Sequence, residues 1–319
     1  MFLLLKDAAR WFFWFPLRRL LELFPLPLAY IIGSWLGFGF YLVAGRRRKK
    51  TESELRSLTF SQNFDTKTVR TIVRQAMINL VLNHIDILLY QKLAKIPVER
   101  YTEIEGLEEL ETALSQKKGV ILAHPHFGNP QLLMSALGWR KYPINQIGRS
   151  LQEAQIPDGD APLDLPPLTP MLKRILAVMH RLELALPANF IYIHQTLLPA
   201  FRCLKKGEIL AIAIDGLGGE KRILVNIQSR QVSFSSGPVA IALHSGASLL
   251  PTFVLRTAKK YRHKIIIEPP VALQITGNEP ADLEFNTKII ADRISYYLAN
   301  YPSQIARLFG NQLSYFIEK

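Results

Sequence analysis

A single cysteine in 319 residues is the first constraint. Cys203 cannot close an intramolecular disulfide, so the fold holds without one, and a reducing, cytoplasm-facing setting fits. Its surroundings, Ala200 to Lys205, have an amphipathic helical pattern, which reads as a small core residue rather than a nucleophile. Carboxylates are also in short supply. Against 39 Lys and Arg stand 26 Asp and Glu, a formal net charge of +13. So basic a chain takes acidic partners: a membrane surface, an acidic carrier protein or a nucleic acid. It contains no recognisable nucleic-acid module, and its cations lie largely beside apolar segments, which favours the membrane. A Gly-x-Ser-x-Gly elbow, a His-Glu-x2-His pair and a Walker Lys-Ser/Thr pair are missing too. Serine-hydrolase, zinc-hydrolase and P-loop chemistries therefore have no footing, and no metal is expected. Glycine and proline, 18 and 20 residues, are too few for low complexity, and 49% hydrophobic content excludes disorder.

Charge vanishes altogether from Pro25 to Gly45. Crossing the hydrocarbon core takes about 20 apolar residues, so this run is just long enough for an anchor helix. A buried or in-plane helix is the alternative. Gly33 and Gly37 form a Gly-x3-Gly pair that lets another helix approach closely. Arg46-Arg47-Arg48-Lys49-Lys50 follows at once and suits anionic headgroups on a cytoplasmic flank. Upstream, Trp11 to Phe15 beside Arg10, Arg18 and Arg19 read as an interfacial amphipathic helix. The apolar run starts late and lacks a small-residue cleavage site, so an uncleaved anchor is expected.

The organising stretch is Gly119 to Gln131. Val120 to Ala123 is a short apolar run that reads as a buried strand. It delivers His124 and His126 to a Phe-Gly-Asn-Pro turn, after which Gln131 starts a helix. Open α/β folds place their ligands at such carboxyl-edge turns. Imidazole has a pKa suited to taking a proton near neutrality, and a residue five positions on can reach back to orient it.

His126-Phe127-Gly128-Asn129 resembles the signature of the lipid A lauroyl/myristoyl acyltransferases, a branch of the lysophospholipid acyltransferase-like proteins, whose segment runs His-Phe-Gly-Asn-Trp-Glu. The chain departs from it at the acid, replaced here by Gln131. The resemblance implies an α/β fold with a central, mostly parallel sheet flanked by helices, behind an N-terminal membrane-anchor helix. It implies transfer of a fatty acyl group from acyl carrier protein or coenzyme A to a hydroxyl of a membrane lipid, without other cofactor, at the cytoplasmic side of a bacterial inner membrane. The acceptor would be a lipid A-type precursor or another glycolipid. His126 would be the general base, and Phe127, Gly128 and Asn129 would border the substrate. Gln131 can fix the imidazole tautomer through its carbonyl oxygen but carries no charge to stabilise the imidazolium. Asp215, ending the apolar run Ile209 to Ile214, is then the candidate for a rescuing carboxylate or a substrate contact. Arg149, at the end of the next strand, corresponds to an arginine that binds the acceptor or its phosphate. A homologue that keeps the fold, lacks turnover and binds lipids or a partner is the rival expectation. A hydrolase using the same turn is a third.

The rest of the chain falls in line with this resemblance. Residues 1–50 are the expected anchor, 51–100 a helical linker and 101–319 the catalytic domain. Residues 51–96 read as helix, with Asn79, Asn83 and Asp86 among apolar residues. Five prolines in 156–170 forbid a helix and suggest a loop over the site. Ile223 to Ile227 and Gln231 to Phe234 read as a hairpin. Gly237-Pro238 opens a helix, and a strand from Ala247 to Arg256 follows. The amphipathic helix from Asp282 leads to Pro302-Ser303-Gln304, which matches the family's closing Pro-x-Gln without its two tryptophans.

Overall fold

The computed structural model describes residues 2–148, 169–192, 196–216 and 221–304, with side chains from residue 7. Helix α1 (Phe2–Phe12) runs through a π-helical turn at Phe13–Leu17 into α2 (Arg18–Leu23), and α3 (Leu26–Val43) follows. Next come α4 (Gly45–Arg56), α5 (Thr66–Leu88) and the short α6 (Tyr90–Leu93). The 51–96 stretch is thus not one helix. It breaks after Arg56 and resumes where the Asp65 carboxylate accepts the Thr68 N–H at 2.7 Å, an N-cap that satisfies an otherwise orphaned donor.

Strand β1 (Thr102–Glu105), α7 (Leu107–Ser115), β2 (Val120–His124), α8 (Gln131–Gly138) and β3 (Ile144–Gly148) form the first alternating run. After it come α9 (Pro170–Glu183), β4 (Asn189–Tyr192), α10 (Leu198–Lys205) and β5 (Ile209–Ala213). The hairpin β6 (Arg222–Ile227) and β7 (Arg230–Ser235) precedes α11 (Gly237–Ser245). Strands β8 (Ser248–Arg256) and β9 (His263–Ile267) and helix α12 (Glu279–Asn300) complete the described chain.

Among the described residues the main sheet has seven strands in the order β1-β9-β8-β2-β5-β3-β4. Strands β8, β2, β5, β3 and β4 run parallel to one another, while β9 is antiparallel to β8 and carries β1 parallel to itself. The fold is therefore α/β with a mostly parallel central sheet. All five residues of β2 are buried, as expected for a strand covered on both faces. Its side chains alternate between two apolar clusters. Ile121 and Ala123 pack with α10, α11, α12 and the β6–β7 hairpin, while Val120 and Leu122 pack with α2, α3, α7 and α8.

Helix α3 is, among the described residues, the one helix long and apolar enough to cross a membrane. Its Gly-x3-Gly face is nevertheless engaged within the chain. A Cβ on Gly37 would stand 2.8 Å from the Ile78 backbone, and one on Gly33 would stand 2.9 Å from Leu82 and Ile85. The two glycines thus let α3 lie against α5. Its opposite face, with Ile31, Trp35, Leu42 and Val43, is exposed.

Helix α5 carries the polar line that joins these layers. Asn79, Asn83 and Asp86 recur at i, i+4 and i+7, which puts them on one face. The Asn79 amide donates to the Ser303 carbonyl at 2.9 Å, and the Asn83 amide to the Gly128 carbonyl at 2.7 Å. Asp86 is fully buried. Its carboxylate accepts from Tyr30 Oη on α3 at 2.5 Å, Asn129 Nδ2 at 2.9 Å and Arg256 Nη2 on β8 at 2.5 Å. His263, on β9, stands 3.5 Å away. Burial, the largest single effect, would raise the Asp86 carboxyl, but the Arg256 guanidinium, His263 and the hydrogen bonds to both together outweigh it and hold the group well below the usual carboxylate range.

Removing one member of such a pair leaves an uncompensated buried charge. Asp86→Ala is expected to cost about 3–5 kcal/mol in denaturant unfolding, with Asp86→Leu/Arg256→Met closer to wild type. The sign of the pH dependence follows from the depressed folded-state pKa. Asp86's contribution is present above the ordinary Asp value, about 3.9, and is lost as pH falls toward its folded value. Unfolding curves between neutral and acid pH should show this loss in wild type and not in the double variant.

Candidate active site

Register brings the site together. In the parallel β2–β5 pair, His124 lies opposite Ala213, so two residues further along each chain His126 meets Asp215. The Ile214 N–H donates to the His124 carbonyl at 3.0 Å and carries the pairing into the turn. Asp215 grips His126 twice. Oδ1 lies 2.6 Å from the ring Nδ1, and Oδ2 accepts the His126 backbone N–H at 2.8 Å. A carboxylate on Nδ1 places the neutral ring's proton there and leaves Nε2 as the basic nitrogen. The side chains of His126 and Asp215 are 23% and 13% exposed, so the imidazole is reachable and its partner nearly covered. Arg222 on β6 lies close enough to Asp215 to feel its charge, although burial lowers the guanidinium overall. It donates to the Gly216 carbonyl at 2.8 Å and to Ser233.

The turn itself is braced from three sides. Phe127 is buried, edge-on to Phe253 and Tyr297, which stack with centroids 3.7 Å apart. Gly128 has φ +59°, and a Cβ there would stand 2.1 Å from the Val254 carbonyl oxygen. Glycine alone meets both demands. Its N–H donates to the Gln304 carbonyl at 2.7 Å, while the Gln304 side chain pairs with both backbone polar groups of Arg256 at 3.0 and 2.8 Å. Asn129 is buried against Asp86. Phe127, Gly128 and Asn129, expected to border substrate, turn inward to the protein and hold the loop in shape.

Gln131 corrects a further expectation. Its carbonyl oxygen accepts from Tyr90 Oη at 2.6 Å rather than from the imidazole, and its amide donates to Glu183 Oε1 at 2.6 Å. Gln131 therefore ties α8 to α6 and α9, and His126 takes its orientation from Asp215. Glu183 is half-buried, and burial raises its carboxyl. His124 is also buried, its ring 6.4 Å from that of His126. Burial and the neighbouring His126 push its pKa down to about 4, so it is neutral at physiological pH. Arg149 lies outside the described residues, as does most of the 156–170 loop. His84 is a packed helix residue, with Nδ1 2.8 Å from the Leu80 carbonyl and its ring between Phe13 and Trp14. Cys203 is buried, and no three His, Cys, Asp or Glu among the described residues are placed to hold a metal ion.

The sequence carries no signal for Arg222, Glu183 and Tyr90, and does not show what Asp86 meets. The spacing on α5 was the one available signal for the last of these.

The family model for bacterial lipid A biosynthesis acyltransferases matches residues 2–156 and 174–308. The chain belongs to that family. Its members transfer acyl groups in the making of lipid A-type lipids and are membrane-associated. The match includes both the His126 turn and Gln304, the two segments the structure joins. Among curated proteins none matches the chain significantly.

The geometry fixes a tautomer. In chain labelled with nitrogen-15 histidine, His126 in its neutral form is expected to carry the proton on Nδ1. Asp215→Asn should convert this to a mixture of tautomers, while Gln131→Ala should leave it unchanged.

Proposed function

We propose that the protein moves a fatty acyl group from an acyl thioester, on acyl carrier protein or coenzyme A, to a hydroxyl of a lipid A-type acceptor. His126 Nε2 removes the hydroxyl proton as its oxygen attacks the thioester carbonyl. The carbon–sulfur bond then breaks, and the imidazolium returns the proton to the leaving thiolate. Asp215 holds the tautomer and stabilises the imidazolium, the role that the acid plays in a catalytic triad. The reading rests above all on the doubly anchored His126–Asp215 pair, which supplies the charge that Gln131 lacks. Arg149 is assigned to an acceptor phosphate. No cofactor is needed beyond the thioester co-substrate.

The proposed setting is the cytoplasmic leaflet of an inner membrane. Trp11, Leu20, Leu23, Ile31, Trp35 and Val43 expose apolar surface along α1–α3. The run Arg46 to Lys50 lies next to it and suits anionic headgroups. With one face of α3 packed on α5, these helices rest in the interface rather than each standing alone in the bilayer.

Acyl transfer in membranes containing the protein tests this directly. His126→Ala is expected to abolish it, and Asp215→Asn to lower kcat by roughly 10⁴-fold, the cost of neutralising the equivalent carboxylate in serine-protease triads. Gln131→Glu should change kcat less than tenfold. Activity that needs Glu at 131 and ignores Asp215 would overturn the assignment.

A further inference from the structure

A groove of about 680 Å³ lies between α3, the middle of α5 and the turn linking β8 to β9. Its volume is within the usual range for small-molecule sites, roughly 300–1,000 Å³. None of its lining residues belongs to the His126 turn or to the Gln131 cluster. One wall is apolar and is built by α3, chiefly Ile31, Trp35 and Phe38. The lining also includes two cations, Arg74 on α5 and Lys260 on the turn. Neither has a carboxylate partner among the described residues.

Lys260 is half-buried. Burial, reinforced by the nearby Arg256 charge, lowers its ammonium pKa, so a bound anion would relieve an existing cost. The backbone holds it in place, since Arg256 Nη1 donates to the Lys260 carbonyl at 2.7 Å. The apolar wall continues outward into the exposed side chains of Ile31 and Trp35, 53% and 70% accessible. The groove therefore opens on the same apolar face as the helices assigned to the membrane.

An occupant must match both sides: hydrocarbon against α3 and a compact anion between Arg74 and Lys260. A free phosphate leaves the apolar wall bare, and a neutral lipid leaves the cations unanswered. We propose that this groove holds one anionic phospholipid, its phosphate between Arg74 and Lys260 and an acyl chain along Ile31, Trp35 and Phe38. The lipid is a bound component of the seat, separate from the acyl acceptor. The proposal goes beyond the acyl-transfer reading and does not depend on it.

Native mass spectrometry of the full chain in a neutral detergent tests it, with phosphatidylglycerol and phosphatidylcholine as probes. One phosphatidylglycerol per chain is expected, held at least tenfold more tightly than phosphatidylcholine. Arg74→Gln/Lys260→Gln should remove that preference. Lys205→Gln/Lys206→Gln, on exposed residues at the end of α10 and with the same net charge, should keep it. Because only exposed or half-exposed cations change, thermal melts of both variants should match wild type. Ser34→Phe, which fills the groove from the α3 side, should exclude the lipid while Arg74 and Lys260 remain. Equal retention of the two lipids, or equal losses in the two double variants, would reduce the effect to bulk charge and overturn the site. Displacement by millimolar inorganic phosphate would overturn it in favour of a free-anion site. His126→Ala should retain the lipid in full, so a failure of the acyl-transfer reading is told apart from a failure of this one.

Discussion

A single buried carboxylate holds the layers of this protein in register. Asp86 meets Tyr30 of the apolar helix α3, Asn129 of the histidine turn and Arg256 of the sheet within one carboxylate's reach. A charge in that position is tolerable only while every partner stays in place, because an unpaired buried ion costs several kcal/mol. The requirement works in both directions. Helix α3 cannot lift from α5 without stranding a bond to Asp86, and the turn cannot move without stranding another. Helices α3 and α5, the histidine turn and β8 are therefore parts of one arrangement. Apolar packing alone, being non-directional, would specify it less sharply.

From that frame the candidate dyad follows by register. Parallel pairing of β2 with β5 leaves His126 and Asp215 at equal distances beyond the sheet edge. The glycine turn and the Gln304 clamp then prevent the imidazole from drifting. Preorganisation of this kind lets a base act without first spending energy to orient itself. The Pro302–Gln304 segment has lost its neighbouring tryptophans yet keeps the glutamine that closes on the turn. The retained part of the motif is the part that touches the site.

The order of elements from β2 onward was legible in the sequence because buried parallel strands are uninterrupted apolar runs, as in Ile209 to Ala213, and because glycines mark where helices stop. Strand β1 was not. Thr102-Glu103-Ile104-Glu105 sits at the sheet edge with charges outward and looks like a loop. The position of His126 on its turn was legible, and so was that of Asp215 at the same sheet edge. The orienting role proposed for Gln131 was not upheld by the contacts, because five residues of spacing give reach while the β2–β5 register decides what is reached. The Asp86 cluster was the least visible feature. Arg256 lies 170 positions from Asp86, and only Asn79, Asn83 and Asp86 on one helix face hinted at a shared target.

The placement of Asp215 changes what an uncharged residue at position 131 means. In a site whose acid sits in the first turn of the following helix, exchange for an amide removes the charge and leaves only the orientation. Here a carboxylate just past β5, Asp215, holds the imidazole, and the Gln131 side chain holds α8 to α6 and α9 instead. Glutamine suits that task better than glutamate would. It accepts from Tyr90 and donates to Glu183 at once, whereas a glutamate would set two carboxylates against each other in a half-buried space. Glu183 and Gln131 thus form a matched pair. Glutamine at position 131 is accounted for by these two contacts.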